Sequence, residues 1–180
     1  MRIEQPEEMP DPQWSSLVDR CVLQDSGFVS STALLPEQRQ AELEARRAGL
    51  RSNRRVFRFA AWQGTTFVGG TEAHEIRSSV LYMRMSVVEP DYRRQGVYTA
   101  LVRHIIDWAR REGFTEITSL HVATNNPVLI AKLTLGFQFT GMRLDPEFGT
   151  LVELAFPLEP SRDALRRYRS GELPSPPQKP

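Results

Sequence analysis

The run Arg93-Arg94-Gln95-Gly96-Val97-Tyr98 gathers the groups best suited to holding an anion. It follows Glu89-Pro90, where proline ends a strand because it cannot donate to a ladder. It precedes an amphipathic helix. Backbone N–H groups at a helix start lack intrahelical partners and carry the positive end of the dipole. A phosphate placed there collects several hydrogen bonds at once. Gly96 lets the backbone approach such a ligand, and Arg93 and Arg94 can add charge-assisted contacts. Taken alone, the loop is equally an ordinary strand-to-helix turn with two solvated arginines. Other polar residues offer chemistry more thinly. His121 shares a strand face with Ser119 and Ala123, as a possible base or as a hydrogen-bonded sheet histidine. Glu72 and His74 point to one strand face, and Tyr82, Arg84 and Ser86 to another. His104 falls on the helix face of Val97, Leu101 and Trp108 and is expected to pack. Cys21, among Leu17 and Val18, is expected in the core. No paired His, Cys and Asp spacing suggests a metal.

The elements that must position these residues follow from periodicity. Pro12 opens a helix through Trp14, Leu17, Val18 and Cys21, broken at Ser26-Gly27 and at 30–32. A charged helix begins after Leu35 and runs through Gly49 to Ser52. Residues 56–62, 65–76 and 80–88 read as three strands of an antiparallel meander, with Gln63-Gly64 as a turn. A helix over 96–111 carries Val97, Leu101, Ile105 and Trp108 at helical spacing and ends at Gly113. A strand over 116–124 then requires a parallel crossover. A short helix from Asn125 to Gly136 precedes two strands, 137–144 and 150–158, joined by a turn at Asp145–Gly149. The sum is a single-domain α/β fold with a mixed central sheet of about six strands flanked by helices. The domain is expected to span 1–158. A tail of 159–180 follows, with one basic helical patch and a proline-rich end expected to be disordered.

Composition narrows the function. The chain has 180 residues, 40% of them hydrophobic, and a formal net charge of +1 from 23 basic and 22 acidic side chains. That near-balance argues against a nucleic-acid partner or an acidic membrane surface, although Arg46-Arg47, Arg51 and Arg54-Arg55 are locally basic. One cysteine allows no internal disulfide, which fits a reducing compartment. The acidic N-terminus has no apolar core like that of a secretory signal. A cytoplasmic protein is expected.

The segment Val88-Glu89-Pro90-Asp91-Tyr92-Arg93-Arg94-Gln95-Gly96-Val97 resembles the acyl-CoA-binding motif of the GCN5-related N-acetyltransferase (GNAT) superfamily. The stretch from Asn125 to Gly136-Phe137 resembles its second motif, and the element order matches from about residue 55 to 157. The resemblance implies a fold of the acyl-CoA N-acyltransferase type. It also implies transfer of an acetyl or other short acyl group from acyl-CoA to an amine, by direct attack in a ternary complex. The co-substrate is acetyl-CoA or another acyl-CoA, and no metal is called for. The acceptor is a small molecule or peptide bearing an amine, and a homodimer is allowed for. The backbone of Val87 and Val88 is expected to bind pantetheine, and the amide of Val87 or of Val88 to polarise the thioester carbonyl. The amides from Arg94 through Gln95, Gly96, Val97 and Tyr98 to Thr99 are expected to cradle the pyrophosphate, with Asn125 fixing pantetheine or a water beside it. Glu75 is the favoured proton acceptor, with His74 and His121 as alternatives. Two positions depart from the pattern. Tyr98 stands where glycine or alanine is usual, and Lys132 stands where a tyrosine acid often lies. A lysine there can protonate or stabilise the leaving thiolate, or contact the cofactor. The rival reading is a non-catalytic acyl-CoA sensor or interaction protein of the same fold, or a general nucleotide-binding module.

Overall fold

The structure is a computed structural model, and it describes residues 1–24, 29–49 and 55–178. The expected break at Ser26-Gly27, the end of the charged helix, Arg51 and Arg54 of the basic patch, and the last two tail residues lie outside the described residues. The sheet has seven strands in the order β1-β2-β3-β4-β5-β7-β6. These are β1 (Arg2–Glu4), β2 (Val56–Gln63), β3 (Thr66–Arg77), β4 (Val80–Val88), β5 (Glu116–Val122), β6 (Gln138–Asp145) and β7 (Gly149–Pro157). The helices are α1 (Gln13–Val18), α2 (Glu37–Gly49), α3 (Val97–Arg111), α4 (Asn126–Thr134) and α5 (Pro160–Arg169). A π-helical turn, Asp19–Gln24, continues α1.

The strand not anticipated is β1. It pairs antiparallel with β2, Ile3 opposite Ala61. Three residues with one apolar side chain are too few to show a period of two. The meander β2–β3–β4 and the parallel crossover to β5 form as the periodicities require. The hairpin places β7 between β5 and β6. Its turn is held by Asp145, whose Oδ1 accepts from the N–H groups of Glu147 and Phe148. The tail forms α5, which docks through Gln138 Nε2 donating to Asp163 Oδ1 at 3.1 Å.

Alternation along the strands splits the core in two. Phe59, Val68, Leu81 and Val88 pack with Leu101, Val102 and Ile105 of α3. Their neighbours Ala60, Phe67 and Val87 pack on the other side with Leu17 of α1. Burying one leucine or isoleucine stabilises by roughly 1.5–3 kcal/mol, so the apolar stripe of α3 fixes that helix against the sheet. The β3–β4 approach is close. A Cβ at Gly69 would lie 2.6 Å from the Val87 carbonyl oxygen, so only glycine fits.

Strand β4 is irregular on both of its edges. Parallel pairing of β4 with β5 stops at Met83–Ser119, although both strands continue. A register shift on the other edge sets Met85 opposite Glu72 and Met83 opposite Ala73, leaving Arg84 as the extra residue. A bulge of this kind turns the residues beyond it over. Met83 accordingly packs with α3 and Met85 on the α1 side. The expected common face of Tyr82, Arg84 and Ser86 is therefore broken. Ser86 turns to Thr71, their hydroxyls 2.9 Å apart, while Arg84 Nη1 donates to Glu72 Oε1 at 2.8 Å.

Candidate active site

Beyond Met83 and Ser119 the two strands splay, and a cavity of about 300 Å³ opens between them. Its walls include Met83, Arg84 and Ser86 of β4, His121 of β5, Tyr98 of α3, and Asn125 and Lys132 at α4. Strand alternation decides which backbone groups face it. Glu89 N–H donates to Val68 O at 3.0 Å, and Val87 O points at Gly69. Both residues thus spend their polar groups on β3. The amides of Ser86 and Val88 then face the β5 side, which is the open cleft. Of the expected pair, Val88 points into the splay and Val87 does not, because successive residues of a strand point in opposite directions.

The loop before α3 forms the mouth. Arg94 and Gly96 both have positive φ, 60° and 82°. Gly96 is the N-cap of α3, and among the described residues no side chain caps the helix. A Cβ built at Gly96 meets nothing within 4 Å, so the helix start is open on that side. Arg94 and Gln95 are exposed, and Gln95 Nε2 donates to Asp91 O at 2.6 Å. Arg93 is exposed too, but its guanidinium reaches back across the loop. Its Nε donates to Val88 O at 3.2 Å and its Nη2 to Cys21 Sγ at 2.9 Å. Its guanidinium braces the loop against β4. The ring of Tyr98 lines the cleft, and its hydroxyl is enclosed without a hydrogen-bond partner among the described residues. Burial pushes that phenol's pKa up, so it stays protonated as a donor.

At the apex of the splay lies Lys132, fully buried. Its Nζ donates to Ser119 Oγ at 2.9 Å and Met83 Sδ at 3.2 Å. It also sits 4.1 Å from the centroid of the Phe137 ring. The Phe137 ring is placed by the helix end: Gly136 has φ 96° and Phe137 N–H donates to Lys132 O, a glycine-terminated helix turn. A thioether, a hydroxyl and a ring face compensate an ammonium poorly, so burial lowers the lysine pKa to about 7. His121 Nε2 lies 2.9 Å from the same Ser119 Oγ. Burial, and secondarily the charge of Lys132, lower its pKa to about 3, so the imidazole is neutral at physiological pH.

Glu75 is the expected residue that the structure does not bring to the cleft. It pairs across to Leu81, at the end of β4 where β5 is still attached. Its carboxylate lies 3.4 Å from Arg55 Nη1. His74 hydrogen-bonds Glu72 at 3.2 Å, on the same outer patch as Arg84. Desolvation raises the Glu72 pKa, but its bonds to Arg84 and His74 outweigh that and lower it overall. His104 packs edge-on to Phe59, as its helix face required. Ser119, which joins His121 and Lys132 at the cleft apex, is the residue that sequence reasoning passed over. Its only sequence signal was sharing a strand face with His121.

The Acetyltransferase (GNAT) family model matches residues 23–137, more than half of the chain. The chain belongs to the GNAT acetyltransferase family. No curated protein matches its sequence. Among solved structures, the IAA acetyltransferase from Bacillus cereus is 16% identical with a TM-score of 0.62, over 87% of this chain and 98% of that one. An acetyltransferase from Bacillus subtilis, in complex with CoA, is 17% identical with a TM-score of 0.63, over 88% and 99%. The ribosomal-protein-S18-alanine N-acetyltransferase from Escherichia coli is 17% identical with a TM-score of 0.53, over 73% and 92%. At these identities the likeness is one of fold. Among the described residues, no helix is long and apolar enough to cross a membrane.

Proposed function

We propose that this GNAT-family chain transfers an acetyl or other short acyl group from acyl-CoA to an amine of a small molecule or peptide, by direct attack in a ternary complex. The observation that carries this reading is the cleft itself, a splay that leads from an uncapped helix start to a buried lysine of lowered pKa. The residues present suit the co-substrate. The open helix start at Gly96, with Arg94 beside it, fits a pyrophosphate on the amides of Gly96 to Thr99. Pantetheine then adds as a strand along the free edge of β4, with Asn125 in the opposite wall. The enclosed Tyr98 hydroxyl, without a partner among the described residues, gains one from a ligand threading past it. CoA in the Bacillus subtilis relative and an alanine acceptor in the Escherichia coli one agree with this co-substrate and this acceptor class.

Catalysis requires holding the reactants together, polarising the carbonyl and moving one proton. The Val88 amide polarises the thioester carbonyl. His121, in the cleft wall and neutral, accepts the amine's proton in place of the remote Glu75. Lys132 stabilises and protonates the leaving thiolate. Its pKa of about 7 lies below the ~8.5 of an ordinary thiol, so that transfer runs downhill.

Calorimetry with acetyl-CoA is expected to give a Kd on the order of micromolar, about −8 kcal/mol. Gly96→Asp sets a carboxylate where the phosphates belong and is expected to abolish the signal; an unchanged Kd removes the loop as the site. Thiol release with an amine panel separates a catalyst from a binding-only sensor.

A further inference from the structure

The contacts of Ser119 connect two groups that the mechanism needs to exchange a proton. Lys132 has no solvent-exposed surface and lines the inner end of the cleft, so its protons pass through the groups it touches. His121 reaches the cleft and Lys132 lies at its apex, and one buried hydroxyl sits 2.9 Å from each. We propose that Ser119 links His121 to Lys132 as a proton relay, carrying the proton lost by the attacking amine to the thiolate that departs. The proposal rests on the acyl-transfer reading above and adds to it a closed route for the proton.

The steps balance. With Lys132 deprotonated, its contact with Ser119 reverses: the Ser119 hydroxyl donates to the Nζ lone pair, and Ser119 Oγ accepts from His121 Nε2–H. The amine nitrogen forms its bond to the acyl carbon as the carbon–sulfur bond breaks. His121 Nδ1 takes the amine's proton, Nε2–H passes to Ser119 Oγ, and the serine proton passes to Lys132. Lys132, now an ammonium, gives one proton to the sulfur and is neutral again. The imidazole regains its starting tautomer by exchange with cleft water. No oxidant, metal or further reactant enters. Ser119 is a positioning residue here, because it touches neither substrate and acts through its two neighbours.

The surroundings suit such a relay. The groups packed on Lys132 are Met83 of β4, Ser119 of β5 and Phe137 beyond α4, and its pKa is displaced by burial alone. The other charged groups lining the cleft are committed to partners: Arg84 to Glu72, and Arg143 to Asp145 at 3.4 Å. His121 stays neutral at rest because burial and Lys132 both disfavour its cation, so it holds a proton only in passing.

The test uses Ser119→Ala, His121→Ala and the double variant, with acetyl-CoA and a panel of spermidine, free amino acids and a peptide with a free N-terminus. Each single variant is expected to bind acetyl-CoA like the parent and to lose about 100-fold in kcat, in the range of a lost general acid–base path. The double variant is expected to lose no more than the worse single one, because links of one path fail together. A parental solvent deuterium effect on kcat is expected to shrink in each. A merely structural serine would give independent, multiplying losses and an unchanged isotope effect. That result, or an undiminished Ser119→Ala, overturns the relay alone. A parent that releases no thiol from acetyl-CoA with any amine of the panel overturns the acyl-transfer reading and the relay with it.

Discussion

Lys132 is a charged residue type in a place that disfavours charge. Its folded pKa of about 7 lies below the 10.5 of an unperturbed lysine. Between those values the unfolded chain holds a proton that the folded chain lacks, so folding stability rises with pH across that window. Below about pH 7 both states are protonated and the cost is constant. The slope is about 1.4 kcal/mol per pH unit for one proton. Lys132→Met removes it and fills the site with apolar volume. Melting curves at pH 7 and pH 9 are expected to show wild type gaining on Lys132→Met as pH rises. Parallel profiles for the two proteins would mean the lysine is charged when folded. The same substitution is expected to leave acetyl-CoA binding intact and to slow turnover, since the group acts on the leaving thiolate.

Between elements, the decisive joint is the one from β4 to α3. Arg93 ties the loop to the last carbonyl of β4 and to Cys21 in the turn after α1. Hydrogen bonds from a charged donor are worth roughly 1.5–3 kcal/mol. Arg93→Ala is therefore expected to lower stability by about that much, measured by denaturant unfolding. It is also expected to weaken acetyl-CoA binding about tenfold, or roughly 1.4 kcal/mol, because the amides of the α3 start lose their fixed distance from β4. Loss of stability with unchanged affinity would show that the loop is held elsewhere. The bulge at Arg84 acts at the same scale. It sends Met83 to the face that carries Lys132 and Met85 to the face of α1, which strict alternation along β4 cannot do.

As a whole, the molecule is a sheet held closed on one end of a strand pair and open on the other. Pairing over Val80–Met83 and Glu116–Ser119 secures the closed end, and the open end presents unpaired backbone that a ligand can complete. Acetyl-CoA at a hundred times its Kd is expected to stabilise the fold by about 2.7 kcal/mol, raising Tm by roughly 5–10 °C for a chain of this size. Hydrogen exchange is expected to slow at residues 84–88 and 97–99 and to change little in β2. Protection confined to β2 and β3 would place the ligand elsewhere.

Periodicity and turn chemistry determined most of the element order in advance, because each is a local property. Val97, Leu101, Ile105 and Trp108 declare α3 without help from the rest of the chain, and Gly96 and Gly136 mark its start and the end of α4. The family resemblance likewise rested on short, contiguous motifs, and so did the position of Lys132. Tertiary structure alone decided which residues meet. A period of two names a face but not an end of the sheet, so Glu75 looked as near the thioester as His121 until the register set it beside Arg55. It also cannot foresee a bulge, or the residue at which two strands stop pairing. Those depend on the sum of many long-range contacts. The same contacts placed Ser119, an unremarked serine in the sequence, midway between His121 and Lys132.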